Sequence, residues 1–320
     1  MAPTVLECLH AYILPGLLIV KSVVYFLQAA IISPILPISD FKAYRNLSFA
    51  KFWTAVGPVF ADVVPPVLGE ILATSRGAIL DIGPGSGDQI FRFSNKDNIT
   101  IIYGVEPGVD LHHALRENAK KAGLSEKYKV LSCGAEPDSL IPVLKTEGLL
   151  SKDNSIDDGI FDEIVCIRVL CSVPTLNETV GVLYRCLKPG GRLVVCEHVI
   201  NESSKEGNKA GRFFHKEGSK VGHLLQLFYT ALGWEFFVGC HLLRDTTAAL
   251  VNAAKSDHGW AEVNLECNIV RRGVAFFSAP PPITIGGEAL QGPYCGHRPF
   301  EGFAVYEGGL SNKPEHVHGV

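Results

Sequence analysis

The sequence predicts an α/β fold built on a doubly wound, mostly parallel β-sheet, and three segments carry this prediction. Residues 79–87 form an apolar run that ends on an acid and continues through three glycines at alternate positions. Residues 99–106 form a second apolar run, and residues 187–198 form a glycine-containing turn that leads into another. Buried parallel strands have such continuous apolar runs because helices cover both faces of their sheet.

An apolar segment near the N-terminus is long enough to span a bilayer or to lie at its surface. It covers residues 11–36 and contains a single basic residue, Lys21. Residues 1–10 contain no Lys or Arg, so the basic start that is typical of a signal peptide is missing. We therefore expect residues 1–40 to form a membrane anchor. The alternative is a hydrophobic helix hairpin that packs on the protein itself.

Basic residues follow the apolar segment, at Lys42, Arg45 and Lys51. Lys and Arg are enriched on the cytoplasmic side of membrane segments, so this pattern indicates that the folded domain faces the cytosol. We expect a membrane-associated protein with its folded domain on the cytosolic side.

Residues 41–76 are predicted to form one or two amphipathic helices. Their apolar side chains follow helical spacing, at Phe52, Trp53, Val56, Val59, Phe60 and Val63. We expect these helices to form a lid or dock over the edge of the sheet where the glycine run lies. Plain core packing is the alternative for most of the aromatic residues.

The three glycines predict a cofactor-binding turn at the end of the first strand. Without Cβ atoms at Gly83, Gly85 and Gly87, backbone N–H groups and the next helix N-terminus can approach a small ligand closely. A dinucleotide fingerprint needs glycine at the first, third and sixth positions, and Asp88 occupies the sixth position here. This difference disfavours a nicotinamide-dependent oxidoreductase. A glycine-rich turn without a ligand is the other alternative.

Glu106 ends the second apolar run, 19 residues after Gly87. In a doubly wound sheet the end of the second strand lies beside the first glycine turn, where a carboxylate can accept hydrogen bonds from adenosine ribose hydroxyls. A helix-capping carboxylate is the alternative. Residues 161–174 are predicted to form the fourth strand, and Pro189 stops a helix before the fifth. Five β/α units therefore occupy residues 77–200.

The remainder of the chain is predicted to close the fold. Residues 201–260 form a helical cap over the substrate, and residues 261–307 contribute antiparallel strands centred on residues 263–269 and 303–306. Residues 270–293 are rich in proline and glycine and form an insertion. Residues 308–320 are polar and are expected to form a flexible tail.

Composition excludes several classes of function. The net charge of −4 comes without a dense basic face, which disfavours a nucleic-acid partner. Nine cysteines occur without C-x-x-C spacing, which indicates reduced, buried thiols and argues against a zinc site or a disulfide framework. We expect no metal.

Four segments occur in the order that is found in the class I S-adenosylmethionine-dependent methyltransferases, which the chain therefore resembles. They are residues 81–87, 99–106, 161–174 and 187–198. The resemblance implies a Rossmann-like sheet of seven strands with a helical cap, and S-adenosyl-L-methionine as the cofactor.

A narrower resemblance, over residues 40–307, is to the membrane-anchored methyltransferase-like thiol S-methyltransferases. Its motifs are residues 165–173, 187–191, 197–199, 228–244 and 298–305. This chain departs from the group in its Gly-Pro-Gly-Ser-Gly loop, in Glu106 where an aspartate is usual, and in the insertion. The resemblance implies methylation of a small lipophilic molecule at a thiol, and a location at the endoplasmic reticulum or at lipid droplets. The alternatives are O-methylation of a phenol or a carboxylate, and a non-catalytic, membrane-anchored docking protein.

The same resemblance assigns candidate site residues. Asp81 and the loop glycines lie near the methionine part of the cofactor, Glu106 lies at the ribose, and Ala135 and Glu136 lie in a turn beside the adenine. Ile167 and Leu170 are expected to line the transfer site, with a role in the core as the alternative. A thiol, with a reference pKa near ~8.5, needs less help from a base than a phenol near ~10. His198, at the end of the fifth strand, is the candidate base, and a structural histidine is the alternative.

Overall fold

The computed structural model describes residues 5–62, 64, 66–150, 156, 159–200, 220–255, 260–269 and 302–310. The helices are α1 (Val5–Ile32), α2 (Leu36–Ser39), α3 (Phe41–Ala61), α4 (Pro66–Leu72), α5 (His112–Lys121), α6 (Pro137–Thr146), α7 (Leu176–Cys186), α8 (Lys220–Ala231), α9 (Trp234–Val238) and α10 (Thr246–Ala253). The strands are β1 (Gly77–Ile82), β2 (Ile99–Val105), β3 (Tyr128–Leu131), β4 (Phe161–Ile167), β5 (Leu187–Val199), β6 (Trp260–Ile269) and β7 (Gly302–Leu310).

The strands form one sheet in the order β3-β2-β1-β4-β5-β7-β6. Strands β1 to β5 pair with one another in parallel, which confirms the predicted doubly wound, mostly parallel sheet. The chain moves outward from β1 to β3 on one side and from β4 to β5 on the other. The carboxyl ends of β1 and β4 therefore meet at the switch point, where doubly wound sheets bind ligands.

Strands β6 and β7 lie antiparallel beside β5, at the places where the sequence predicts closing strands. Strand β7 reaches Leu310 and its Gly308 pairs with Leu193 of β5, so the predicted tail from residue 308 begins inside the sheet. Residues 311–320 lie outside the described residues, as do residues 201–219 of the predicted cap and the whole predicted insertion.

Helices cover both faces of the sheet. Because side chains alternate along β1, Leu80 and Ile82 pack with α6, α7 and α10, whereas Ile79 packs with α4 and α5 on the other face. All three side chains are at most 1% exposed. This two-sided burial explains the uninterrupted apolar runs in the sequence.

Helix α1 packs along the folded domain. Its inner face buries Leu18, Phe26 and Ala29, and the hydroxyl of Tyr44 on α3 donates a hydrogen bond to Phe26 O at 2.8 Å. The segment Ile13–Ile32 is also long and apolar enough to cross a membrane, with a mean hydropathy of 1.8. The helix therefore combines an anchor-like composition with a packed inner face.

Candidate active site

The turn after β1, residues 83–87, is called the glycine loop. Gly83, Gly85 and Gly87 have φ angles of 60°, 60° and 84°, the left-handed region that side chains with a Cβ disfavour. Space is also restricted, because a Cβ on Gly85 would lie 2.5 Å from Nε1 of Trp53 and a Cβ on Gly83 would overlap Val169. Glycine is therefore required at these positions by both conformation and close contact.

Glu106 follows β2 directly and is 7% exposed. Its Oε2 accepts a hydrogen bond from Gly85 N at 2.9 Å, and its Oε1 accepts one from Gly108 N at 2.8 Å. Burial raises the pKa of Glu106, and the two N–H donors act in the opposite direction by stabilising the carboxylate. Glu106 thus ties the glycine loop to the end of β2.

Asp81 lies near the end of β1 and is 6% exposed. Burial raises its pKa to about 7, and the hydrogen bond that Tyr128 Oη donates to Asp81 Oδ2 at 2.8 Å opposes that rise. Tyr128 reaches Asp81 across β2, next to Gly104, where a Cβ would lie 2.5 Å from the tyrosine oxygen. Gly104 therefore makes room for the Tyr128 hydroxyl that binds Asp81.

Helix α3 lies over the glycine loop, where the sequence predicts a lid. Gly57 brings the helix close to the loop, since a Cβ there would overlap the carboxylate of Asp88 and lie 3.2 Å from Ser86 Oγ. The rings of Trp53 and Phe60 stack on one another with centroids 6.2 Å apart. The loop is thus covered by an aromatic surface of α3.

A cavity lies between α3 and the carboxyl ends of β1 and β4. Its lining includes Asp81, Gly83 and Gly87 on the side of the glycine loop, and Ile167 and Arg168 at the end of β4. The cavity therefore joins the two strand ends that flank the switch point.

The segment after β4, residues 168–173, is called the post-β4 loop. Arg168 has a φ of 56°, which is unusual for a residue with a side chain. Its Nη1 donates to Phe60 O at 2.8 Å, and its guanidinium lies 5.0 Å from the centre of the Phe60 ring. Such strain persists where surrounding contacts impose it, and it is concentrated at functional sites.

Glu197 of β5 holds the post-β4 loop from below and is fully buried. Its Oε1 accepts hydrogen bonds from Val169 N at 2.6 Å and Leu170 N at 2.7 Å, and its Oε2 lies 3.4 Å from Cys171 N. From the other side, Arg244 Nη1 donates to Leu170 O at 3.1 Å and to the carbonyl of Val173. The loop is therefore clamped through its backbone by one carboxylate and one guanidinium.

A family model described as a methyltransferase domain matches residues 53–237, which is more than half of the chain. The chain belongs to this methyltransferase family. The sequence predicts a class I enzyme with S-adenosylmethionine as the methyl donor, and the family match supports this prediction.

Individual relatives match this methyltransferase over shorter segments. The thiol S-methyltransferase TMT1A of Homo sapiens is 32% identical over 103 residues, which cover 32% of this chain and 36% of that protein. The sterol 24-C-methyltransferase of Kluyveromyces lactis is 36% identical over 56 residues, 18% of this chain and 15% of that protein. The chain thus spans about a third or less of these curated relatives. The solved structure of an O-methyltransferase family protein from Burkholderia thailandensis matches with a TM-score of 0.46 and 14% identity, over 85% of this chain and 61% of that one.

The residues of the methyltransferase fit its methyl donor. Asp81, near the end of β1, lines the cavity together with Gly83 and Gly87, and Glu106 directly follows β2. An ammonium group and ribose hydroxyls are suitable partners for such carboxylates.

Four of the predicted cofactor residues lie outside the lining of the cavity. Trp53 covers Gly85, and both oxygens of Glu106 accept hydrogen bonds from loop N–H groups. Ala135 and Glu136 lie in the turn between β3 and α6. Leu131, the last residue of β3, accepts a hydrogen bond from Glu106 N at 3.0 Å. The structure thus places Ala135 four residues after a β3 residue that contacts Glu106, and both turn residues outside the cavity lining.

His198, the predicted base, lies in β5 directly after Glu197, and its backbone pairs with Phe303 of β7. Its side chain lies outside the described part of the chain. Sequence reasoning missed Glu197 and Tyr128. An acid at the end of the apolar run 193–196 was a signal for the first, and the glycine inside β2 was a signal for the second.

Proposed function

We propose that this methyltransferase transfers a methyl group from S-adenosylmethionine to the thiol of a lipophilic small molecule. The observation that carries the proposal is the cavity that joins Asp81 and the glycine loop to Ile167 and Arg168 under α3. Donor and acceptor must meet in one water-poor space for in-line transfer, and this cavity connects the two strand ends. The 32% identity to a thiol S-methyltransferase supports the choice of acceptor.

On the donor side, we assign the predicted residues the following roles. Asp81 pairs with the ammonium group of the methionine part, and N–H groups of the glycine loop approach the ligand backbone. Glu106 accepts the ribose hydroxyl hydrogens. Each oxygen of Glu106 accepts one backbone N–H, from Gly85 of the glycine loop or from Gly108, and retains a second lone pair, so the carboxylate can hold the glycine loop and bind ribose together. Ala135 and Glu136 flank the adenine.

On the acceptor side, S-adenosylmethionine supplies an electrophilic methyl group on a sulfonium sulfur. Ile167 forms an apolar wall, and the stacked rings of Trp53 and Phe60 exclude water from above. The positive charge of Arg168 favours the thiolate form of an acceptor by attraction. His198 is the residue that would take the proton from a less acidic acceptor such as a phenol.

The proposal includes association with a membrane through residues 11–36, with the folded domain on the cytosolic side. The apolar segment Ile13–Ile32 supports this part. A lipophilic acceptor would then reach the enzyme from the bilayer.

The first experiment is isothermal titration of S-adenosylhomocysteine into the full chain in detergent micelles. The full chain is needed because α1 packs on α3, and its removal would expose the fully buried Phe52. Glu106→Ala should abolish micromolar binding, whereas Glu117→Ala, an exposed acid on α5, should leave it unchanged. No binding by the folded wild type would favour a non-catalytic docking protein.

The second experiment identifies the acceptor with pairs of lipophilic compounds that differ only in a thiol or a phenol. We expect the thiol member of each pair to be methylated, and mass spectrometry of the products detects this. Preferential methylation of the phenol, with loss of the activity in His198→Ala, would replace S-methylation with O-methylation.

A further inference from the structure

Helix α1 turns an apolar face away from the protein. Its members are 44 to 79% exposed and are Ile13, Leu17, Val20, Val24, Leu27 and Ile31. They are spaced by three or four residues, so they form one continuous stripe along the helix. A contiguous apolar patch of this kind on a folded protein marks an interaction surface.

Helix α8 has the same inverted arrangement. Leu224 and Phe228 of α8, and Leu232 directly after it, are 68%, 53% and 48% exposed, again at helical spacing. The polar residue Gln226 on the opposite face is only 2% exposed. The face that would carry charged residues on an ordinary surface helix is therefore apolar here.

The two apolar faces adjoin. Tyr229 of α8 packs against α1 at Gly16, where a Cβ would lie 3.5 Å from the tyrosine ring. Leu17, next in the chain, is on the outward face of α1 and is 52% exposed. Neighbouring helices with outward apolar stripes form one extended surface.

The inner face of α1 is held to the domain along much of its length. Ser22 Oγ donates a hydrogen bond to Phe237 O at 2.5 Å, and Tyr44 Oη donates to Phe26 O at 2.8 Å. Contacts from Gly16 to Ala29 extend over about 20 Å of helix. A crossing α1 would carry these packed partners, and charged neighbours on α3 and α9, into the hydrocarbon layer, which is costly.

We infer that the outward faces of α1 and α8 form one surface that docks on a lipid bilayer, and that α1 lies along the bilayer instead of crossing it. The inference rests on the membrane association proposed above. Lys21 and Lys42 are exposed beside the surface, on α1 and at the start of α3. Their ammonium groups can reach the phosphates of lipid headgroups while the apolar side chains enter the acyl boundary.

The test of the α8 face uses tryptophan as a depth probe in the full chain. Phe228→Trp and the control Phe91→Trp replace phenylalanines of similar exposure, 53% and 59%, on α8 and beside the glycine loop. Vesicles of phosphatidylcholine and phosphatidylserine contain lipids brominated at a shallow acyl position. We expect at least about twofold stronger quenching in Phe228→Trp than in Phe91→Trp, since an interfacial face enters this depth.

The orientation of α1 is tested with Leu17→Trp, Val24→Trp and Ile31→Trp, one position on each of three successive heptads of the outward face. A helix along the surface places all three at the same shallow depth. A crossing helix spreads Leu17 and Ile31 over about 20 Å and places Val24 deepest. Lipids brominated at a shallow or a deep acyl position distinguish the two arrangements.

Three results would overturn the inference. The first is Phe228→Trp fluorescence that vesicles leave unchanged while the protein floats with them, and the second is deep quenching of Val24→Trp. The third is a blue shift in the tryptophan fluorescence of the Phe228→Trp variant that increases with protein concentration in the absence of lipid. This would show that the surface binds a second copy of the chain. Failure of the wild type to float with any vesicle would also contradict the proposed membrane association. The titration of S-adenosylhomocysteine tests the cofactor site of the proposed methyltransferase independently of the membrane.

Discussion

Two loops meet at the carboxyl edge of the sheet, and each is held by a buried carboxylate from a neighbouring strand. Glu106 accepts N–H groups of Gly85 and Gly108 beside the glycine loop. Glu197 accepts N–H groups of Val169 and Leu170 in the post-β4 loop. The same device therefore supports the donor side and the acceptor side of the proposed site.

The loops differ in how they reach their shape. The glycine loop makes its left-handed turns with glycines, which adopt them at no steric cost. The post-β4 loop places Arg168, with a full side chain, at a φ of 56°. Local sequence thus specifies the first loop, whereas tertiary contacts impose the second. Loss of a tertiary contact should harm the post-β4 loop more.

The largest effect is expected for Glu197→Gln. An amide cannot accept all the N–H groups that the carboxylate accepts, so buried donors lose their partner. We expect the free energy of unfolding to fall by about 2 to 4 kcal/mol. Denaturant unfolding measures the loss, and kcat/KM for the acceptor should fall by more than the fraction of unfolded enzyme explains.

Glu163→Gln is the matched control for that variant. Glu163 is 1% exposed and accepts hydrogen bonds from Ser75 Oγ and Arg192 Nε, but it lies at the opposite end of the sheet. It should lose comparable stability with little change in kcat/KM of the folded fraction. Equal kinetic losses in both variants would show that Glu197 has no particular role in positioning the post-β4 loop.

The next effect is expected for Gly85→Ala. The new Cβ would lie 2.5 Å from Trp53 Nε1 at a φ of 60°, so the substitution combines strain with a collision. Gly148→Ala has nearly the same φ, 69°, with nothing within 4 Å, and it isolates the cost of strain, about 1 to 2 kcal/mol. Titration should show that Gly85→Ala lowers the affinity for S-adenosylhomocysteine at least about tenfold, whereas Gly148→Ala does not.

Binding should depend on pH through Asp81. Because burial raises its pKa to about 7, the carboxyl is largely protonated at pH 6 and must ionise to pair with an ammonium group. Between pH 7.5 and pH 6, we expect affinity for S-adenosylhomocysteine to fall by about tenfold. In Asp81→Asn the affinity should be weak at both values, and a wild-type affinity that is flat over this range would exclude the pairing.

The same shift predicts the sign of the pH dependence of stability. The native carboxyl holds its proton up to about pH 7, whereas the unfolded one releases it near its ordinary pKa of 3.8. The contribution of Asp81 to the free energy of unfolding is therefore full below pH 3.8 and is lost as the pH rises toward 7. Asp81→Asn should remove this dependence in chemical unfolding measured on the unliganded protein.

Sequence patterns predicted the glycine loop, Glu106 and the sheet because each depends on a few adjacent residues. The partners that complete the site are distant in the chain. Tyr128 is 47 residues from Asp81, and Glu197 is 28 residues from Val169. Periodicity places such residues on strands, but strand register and side-chain direction decide which of them meet.

Glycines inside regular elements were the signals that sequence reasoning left unused. Gly104 in β2 and Gly57 in α3 each occupy a position where a Cβ would overlap a site residue, Tyr128 or Asp88. A glycine in a strand or helix indicates that another part of the protein lies close to the backbone there, but it does not identify which residue that is. The position of α3 over the glycine loop agrees with the lid that the sequence predicts, whereas the contact of Trp53 with Gly85 was not predictable.

The smallest effect, and the sharpest test of the difference between the loops, is expected for Arg168→Gln. If the strained arginine is kept for its charge at the cavity, loss of the charge raises the pKa of the bound thiol. The alkaline rise of kcat/KM should then move upward by about half a unit to one unit. Arg168→Lys retains the charge and should show little displacement. If both variants shift equally, the side chain acts through its contacts with Phe60, and the strain serves the shape of the loop instead of its electrostatics.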